Sequence, residues 1–381
     1  MRQRPNDKEA MVHGWCPSAW RPMMAGDGLL VRVRPPLARL TRAQALGLGE
    51  AALRHGNGAI DLTNRAALQI RGVGEGRLAP LLEELVALGL VAADPAAEAR
   101  PAMLVAPDWT EGDATCRVAR QLAARLDELP ALPGKAGFAV DLSGAPLLSG
   151  APADFRAERG ADGAFLLRAD GRDGGVAVAE DDIVDGLIAL VRWFVDSDGA
   201  RAGRMARHGA GLPPAFAGTA RPALPRRLAA GDHPLGALAG VPFGRIEAER
   251  LSAALLSTGA PALRLTPWRS ILFEHVRADG VEGFSADPGD ALLHADACVG
   301  APACPQATVE TRALALRLAP HVSGSLHVSG CAKGCARPSP ATVVLTGRAG
   351  HYDLGFDARA GQAPARSGLD PRQILALLKA S

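Results

Sequence analysis

Lysine is scarce in this chain, because only four of its 42 basic residues are lysine and the others are arginine. Acidic residues number 40, so the formal net charge is only +2. A nearly neutral chain gives no electrostatic reason to expect nucleic-acid binding. Arginine binds carboxylates through paired hydrogen bonds, so this composition suits a polycarboxylate ligand as well as an ordinary solvated surface.

Long apolar runs are also missing. None follows the basic residues at the start, so we expect no signal peptide. The longest apolar stretch, residues 78–93, contains Glu83 and Glu84 and is too polar to cross a bilayer. We therefore expect a cytoplasmic protein without a membrane partner. A chain of 381 residues, 48% of them hydrophobic, is long enough for about two to four domains.

Cysteine is rare as well, yet four of the six cysteines form two close pairs. Five residues separate Cys298 from Cys304, and three separate Cys331 from Cys335. A cubane [4Fe-4S] cluster takes one cysteine at each iron, and two Gly/Pro-rich loops can supply these ligands. Structural zinc prefers a spacing of about two to four residues, and disulfides are typical of small secreted domains. The wider first loop favours the cluster over these two alternatives.

The other two cysteines, Cys16 and Cys116, stand alone in the sequence, and we interpret them as buried or incidental.

Two segments share a β-α-β-β pattern. In the first, alternating and capping residues predict a strand, a helix and two strands at 29–34, Arg42–His55, 59–62 and 67–71. In the second, the same elements are predicted at 238–241, 246–257, 262–265 and 271–276. Arg65 and Arg269 occupy equivalent turns. The repetition predicts duplicated half-domains that pack together, with a chance match between two common units as the alternative.

These patterns resemble the sirohaem-dependent nitrite and sulfite reductases, which also carry both cysteine pairs and arginine turns. Three segments resemble more specifically the precorrin-3B synthases of aerobic cobalamin synthesis: Gly14–Pro17, Pro22–Pro35 and Ser329–Cys335. The resemblance implies an α+β fold with duplicated ferredoxin-like half-domains, two α/β domains and pseudo-twofold symmetry. The implied parts are half-domains at 23–76 and 231–280, a tetrapyrrole-binding α/β domain at 77–230 and an iron–sulfur cluster domain at 281–381.

The resemblance also implies roles for individual residues. Arg32, Arg100 and Lys135 match the basic residues that lie over the open face of the macrocycle in the reductases, and they are the expected catalytic residues. Arg65 and Gln69 match residues that touch macrocycle carboxylates, and the repeat adds Arg269 to this substrate-binding group. The expected cluster ligands are Cys298, Cys304, Cys331 and Cys335. Reductases with two lysines carry the second one where this chain has Gly137, which weakens an anion-reductase interpretation.

The implied activity is an O2-dependent monooxygenase that converts precorrin-3A, a metal-free tetrapyrrole, into precorrin-3B. The implied cofactors are a [4Fe-4S] cluster and a non-haem iron, with an external reductant such as NADH and an electron donor as partners. A small sirohaem-dependent sulfite or nitrite reductase is the alternative enzyme, and a redox-sensing or zinc-stabilised binding protein is the alternative from another class. The sequence has no evident two-histidine-one-carboxylate set for an oxygen-activating iron. We interpret the candidates beside the cysteines as structural: His294, Asp296, His321 and His327.

Overall fold

The computed structural model describes residues 16–379, so Gly14 and Trp15 of the N-terminal motif lie outside the described residues. The strands, in chain order, are β1 (Met23–Ala25), β2 (Gly28–Val33), β3 (Arg39–Thr41), β4 (Ala59–Leu62), β5 (Leu68–Val73), β6 (Ala102–Val105), β7 (Gly137–Asp141), β8 (Phe155–Arg159), β9 (Phe165–Ala169), β10 (Val176–Val178), β11 (Gly231–His233), β12 (Gly236–Gly240), β13 (Arg245–Glu247), β14 (Ala262–Leu265), β15 (Ser270–Glu274), β16 (Ala295–Ala297), β17 (Leu326–Ser329), β18 (Ala341–Arg348), β19 (His351–Ala358) and β20 (Arg366–Leu369). The helices are α1 (Arg42–His55), α2 (Leu78–Ala87), α3 (Pro95–Glu98), α4 (Ala114–Ala124), α5 (Ile183–Asp196), α6 (Gly199–Ala202), α7 (Ala248–Thr258), α8 (Arg312–Leu318) and α9 (Pro371–Lys379).

The strands within the described residues form four sheets of five strands each. The first two sheets have the spatial orders β1-β2-β5-β4-β13 and β11-β12-β15-β14-β3, and both are antiparallel. The third has the order β10-β9-β8-β7-β6, and the fourth has the order β16-β17-β18-β19-β20. Each of the last two contains both parallel and antiparallel pairs. This mixture of sheets and helices confirms the predicted α+β class.

The two repeats exchange a strand. Strand β3 of the first repeat adds to the sheet of the second, where Leu40 lies opposite Leu263. Strand β13 of the second repeat adds to the sheet of the first, where Ile246 lies opposite Ile60. Each ferredoxin-like half-domain is therefore completed by its copy, and the predicted duplication is confirmed.

The two repeats also share an unusual backbone conformation. Leu37 and Phe243 each follow a proline, and both have positive φ angles, of 52° and 58°. Such angles are uncommon for residues other than glycine, so their recurrence at matching positions points to a common origin. Helices α1 and α7 also pack together, with Gly49 so close that a Cβ there would lie 3.0 Å from the Ser252 hydroxyl.

Helix α1 begins and ends where the sequence predicts. The Thr41 side chain accepts a hydrogen bond from the Gln44 amide, while the Gln44 side chain accepts one from the Thr41 amide. This capping box satisfies two amides that a helix start leaves open. The matching helix of the second repeat is also confirmed, but it begins later than predicted, because 245–247 forms the exchanged strand β13 and α7 begins at Ala248.

The remaining two sheets belong to separate cores. Sheet β10-β9-β8-β7-β6 packs against α4 and α5 around Phe138, Phe155 and Phe194. The sequence predicts strands at 137–142 and 164–168, which correspond to β7 and β9, but it does not predict β8 or β10. Sheet β16-β17-β18-β19-β20 packs against α8 and α9 around residues such as Leu314 and Ile374. The sequence predicts a helix at 308–318 between the cysteine pairs, and α8 begins only at Arg312. No helix in residues 16–379 is long and apolar enough to cross a membrane.

Candidate active site

A cavity of about 800 Å³ opens between the first half-domain and the α/β domain. Its volume lies toward the upper end of the range of about 300–1,000 Å³ that is usual for small-molecule sites. Five arginines line it: Arg21, Arg32, Arg34, Arg65 and Arg100. Three of these were predicted as site residues, and the fold brings them together from separate elements.

Arg32 is oriented by the neighbouring strand. It lies on β2 directly opposite Gln69 on β5, and its Nε and Nη2 donate to Gln69 Oε1 at 3.1 and 2.7 Å. Burial lowers the pKa of Arg32, and the nearby Cys16 thiol opposes this shift. Gln69 therefore acts on the cavity through Arg32, which it holds in one orientation.

Arg65 lies in the turn between β4 and β5. The Thr63 hydroxyl accepts hydrogen bonds from the amides of Arg65 and Ala67, which fixes the turn. Arg65 Nη2 donates to the carbonyl of Lys135 at 2.7 Å, and burial lowers the pKa of Arg65. The residues on either side of Lys135 line the cavity, so this contact joins two of its walls.

Three predicted arginines have in common that they pair with no acidic side chain in the described part of the chain. Among residues 16–379, the side chains of Arg32, Arg65 and Arg100 form no ion pair, although all three are half-buried. Arg34 differs, because it forms a salt bridge with Glu98 at 3.4 Å and donates to the carbonyl of Arg100 at 2.9 Å. A buried charge normally needs an opposite charge nearby, so the three arginines leave room for a bound anion.

Cys16 was interpreted as buried or incidental, but it is only half-buried and lines the cavity together with Arg32. The sequence offered one signal, since Cys16 lies in a motif that carries the family resemblance. A lone cysteine has no spacing pattern from which to infer a role. Cys116 is fully buried, as expected.

The two cysteine loops pack against each other. Gly330, beside Cys331, donates its amide hydrogen to Cys298 Sγ at 3.2 Å, and its carbonyl accepts from the Thr308 amide at 3.0 Å. A Cβ at Gly330 would lie 2.6 Å from the Cβ of Ala307, so only glycine permits this approach. The fold thus brings both predicted cysteine pairs to one place.

The four thiols also influence one another electrostatically. Cys298, Cys304 and Cys331 are half-buried, and Cys335 retains solvent access. Partial loss of hydration raises the pKa of Cys335, Lys333 opposes the shift, and the other three cysteines add to it. The four thiols therefore lie in one region of the fold.

The first half-domain anchors the first cysteine loop. The amide of Gly26, in the β1-β2 turn, donates to the carbonyl of Ala303 at 3.0 Å. Asp61 on β4 accepts hydrogen bonds from Arg71 at 2.9 Å and from Arg312 on α8 at 3.2 Å. The position of the cysteines is therefore tied to the strands that carry Arg32 and Arg65.

Arg269 lies away from the large cavity. It borders a smaller cavity of about 300 Å³, where its Nη2 pairs with Asp296 at 2.6 Å. Asp296 is also bound by Arg337 at 2.9 Å. Arg269 thus contacts the strand that leads to Cys298, while the equivalent Arg65 lines the cavity.

The donor groups fit a cluster better than a single ion. Within the described part of the chain, no three histidine, cysteine, aspartate or glutamate side chains are arranged around one metal ion. A four-iron cluster does not need such an arrangement, because each cysteine binds a different iron. The non-haem iron implied by the resemblance does need one, and residues 16–379 do not provide it.

Three comparisons relate the chain to known proteins. The family model "Nitrite/Sulfite reductase ferredoxin-like half domain" matches residues 21–88. A curated relative from Sinorhizobium sp., named precorrin-3B synthase, is 31% identical over an alignment covering 93% of this chain and 85% of the relative. The structure of Mycobacterium tuberculosis NirA protein matches with a TM-score of 0.57 and 16% identity, over 88% of this chain and 76% of NirA. The likeness to NirA concerns the fold alone.

Proposed function

The chain belongs to the precorrin-3B synthase family, and we propose that it hydroxylates precorrin-3A at C20 with formation of the ring A lactone. One oxygen atom of dioxygen enters the product, and the other leaves as water. An external reductant such as NADH supplies the two electrons that balance the reaction, through a separate electron donor. The curated relative shows the family, and the monooxygenase activity is the part that we propose.

The observation that carries the proposal is the set of half-buried arginines that form no ion pair with an acidic side chain of residues 16–379. Arg32, Arg65 and Arg100 face one cavity of about 800 Å³. A tetrapyrrole with several carboxylate arms would provide the missing negative charges, each through a charge-assisted hydrogen bond. Such a ligand would recover the free energy that burial of the guanidinium groups costs.

Separate residues serve binding and chemistry in this proposal. Arg65 binds a substrate carboxylate while its bond to the Lys135 carbonyl fixes its direction. Gln69 orients Arg32, and we assign Arg32, Arg100 and Lys135 to the region around the reacting carbon. Positive charge there would stabilise negative charge that develops on oxygen.

Cys298, Cys304, Cys331 and Cys335 would hold a [4Fe-4S] cluster. The cluster would supply electrons singly from the external donor. The chain's own contribution is to place the two loops together and to tie them to the β-sheet that carries the cavity arginines. No step is assigned to a non-haem iron, because the described residues do not fit one.

The direct test is turnover of precorrin-3A by anaerobically purified protein supplied with a reductant and then with dioxygen. We expect a product heavier by one oxygen atom, with the label incorporated when isotopically labelled dioxygen is used. Mass spectrometry of the product measures both. Unlabelled product, or no product with a fully loaded cluster, would refute the monooxygenase.

The same preparation separates the alternatives. The absorption spectrum should show the broad charge-transfer shoulder of a cluster without the strong Soret and red bands of sirohaem. Sirohaem bands together with turnover of sulfite or nitrite would favour the reductase. A colourless protein with one zinc per chain would contradict both enzymes.

A further inference from the structure

The sheet below the second cysteine loop has an unusual polar face. On β17, Leu326 and Val328 point into the core, so His327 and Ser329 point to the opposite face. Asp296 on β16 pairs with His327 in parallel register and lies on that face too. All three polar residues are buried, with exposed fractions of 5% or less. We call Asp296, His327 and Ser329 the polar platform.

The polar platform supports the segment 331–337 at successive points. Ser329 Oγ donates to the carbonyl of Cys331 at 2.7 Å, which fixes the start of the segment. Asp296 accepts from Arg337 at 2.9 Å, which fixes its end. Between them, Cε1 of His327 would be 3.7 Å from a Cβ placed on Gly334, so the ring lies against the middle of the segment.

His327 is the platform residue whose polar atoms remain unused. Its side chain is 0% exposed, and neither ring nitrogen has a hydrogen-bond partner among the described residues. Burial lowers the pKa of His327 to about 4, so the ring is neutral and carries one N–H donor. A buried donor without a partner is unfavourable, and this ring lies against Gly334, the residue before Cys335.

We propose that His327 donates a hydrogen bond to the sulfur of Cys335 when the cluster is bound, and thereby raises the cluster's reduction potential. The inference rests on the proposed cluster. Hydrogen bonds to cluster sulfurs stabilise the more negatively charged reduced state, so the loss of this one should make reduction harder. His327 is a positioning and tuning residue, since it acts on the cluster through its ligand.

The test compares holoprotein of the wild type with the His327→Phe and His327→Gln variants. Iron and sulfide content measures cluster loading, and a redox titration followed by electron paramagnetic resonance measures the midpoint potential. We expect a more negative potential in His327→Phe and a smaller shift in His327→Gln, which retains a donor. The matched control is His321→Gln, because His321 is exposed and also precedes Cys331.

A second measurement begins with the wild type, so its decisive result does not depend on how a variant folds. Histidine labelled at its ring nitrogens should give a hyperfine coupling to the reduced cluster in the wild type and in His321→Gln. The coupling should disappear in His327→Gln. Its absence from the wild type would overturn the proposal, as would an unchanged midpoint potential in a fully loaded His327→Phe protein.

These outcomes differ from a failure of the proposed function. A wild-type protein that binds no cluster would refute the cofactor and, with it, the role of His327. A loaded wild-type cluster whose potential does not respond to His327→Phe would refute the role of His327 alone.

Discussion

Arginines in this protein divide by the partners that they meet. Arg264 and Arg39 bind Glu274, and Arg71 binds Asp27 and Asp61, so these side chains hold structure together. Arg32 and Arg65 instead donate to neutral oxygens, which orient each guanidinium without cancelling its charge. Orientation without neutralisation is what a site for an anionic ligand requires.

Replacing Arg65 with alanine should weaken binding of precorrin-3A about 10- to 100-fold. A charge-assisted hydrogen bond contributes about 1.5–3 kcal/mol, and about 1.4 kcal/mol corresponds to a factor of ten. Anaerobic titration followed by tetrapyrrole absorbance measures the Kd. Arg201→Ala is the control, because that side chain is 85% exposed. Equal Kd values for the two variants would contradict the binding role.

The ion pairs of Glu274 predict how the stability of the fold changes as the pH falls. Burial opposes its ionisation, but hydrogen bonds from Arg39 and Arg264 outweigh this effect and lower its pKa from 4.5 to about 2. A depressed pKa gives stability that is complete above pH 4.5 and is lost as the pH falls toward 2. The loss is on the order of 3 kcal/mol.

Urea unfolding of the wild type and Glu274→Gln between pH 3 and about pH 6 measures this contribution. At the upper end of this pH range, the variant should have a lower free energy of unfolding than the wild type. This difference in free energy should shrink toward the lower end of the range. Glu111→Gln is the control, since Glu111 is 70% exposed and pairs with Arg120 at the surface. A difference between wild type and Glu274→Gln that stays constant with pH would contradict the prediction.

At the scale of elements, sequence patterns predicted those features that depend only on residues close together in the chain. The capping box defined α1, and the cysteine spacing identified both loops. Strand β13 was missed because it forms only against another half-domain, and the Ile246 side chain does not reveal that partner. The cavity position of Cys16 and the platform under residues 331–337 likewise depend on contacts between distant segments.

The β1-β2 turn allows a test of how elements position the cysteines. A Cβ at Gly26 would lie 2.7 Å from the carbonyl oxygen of Ala303, next to Cys304. Gly26→Ala should therefore displace the loop and reduce the iron bound per chain, at a cost of about 1–3 kcal/mol. Iron analysis of the reconstituted protein measures the first effect, and urea unfolding measures the second.

Gly76→Ala is the matched control, because no atom lies within 4 Å of the added Cβ. It should leave both the iron content and the stability unchanged. If Gly26→Ala and Gly76→Ala bound equal amounts of iron, the turn would have no part in placing the loop.

At the scale of the whole molecule, the exchanged strands join the two half-domains around one shared core. Leu40 and Ile246 are each buried in the sheet of the opposite repeat. Loss of either side chain removes packing from both repeats, since their apolar residues belong to one continuous core. The domain boundaries at residues 76 and 230 remain predictions. The strand exchange shows that one continuous segment of sequence does not correspond to one separate hydrophobic core.

Leu40→Ala should cost about 2–5 kcal/mol and speed hydrogen exchange in both half-domain sheets. Mass spectrometry of peptic fragments measures exchange in β4, β5, β14 and β15. Leu122→Ala is the control, because Leu122 is equally buried but belongs to the core of the α/β domain. Faster exchange in only one half-domain of Leu40→Ala would show that the repeats unfold separately.

The exchanged strands have the geometry of a domain-swapped dimer whose two subunits have become a single polypeptide. Covalent linkage frees the subunits from having identical sequences, so each copy of an ancestral position can specialise. Arg65 and Arg269 illustrate this divergence. Arg65 lines the large cavity, whereas the equivalent Arg269 binds the carboxylate of Asp296 beneath the cysteine loops. A homodimer would have had to use one arginine for both tasks.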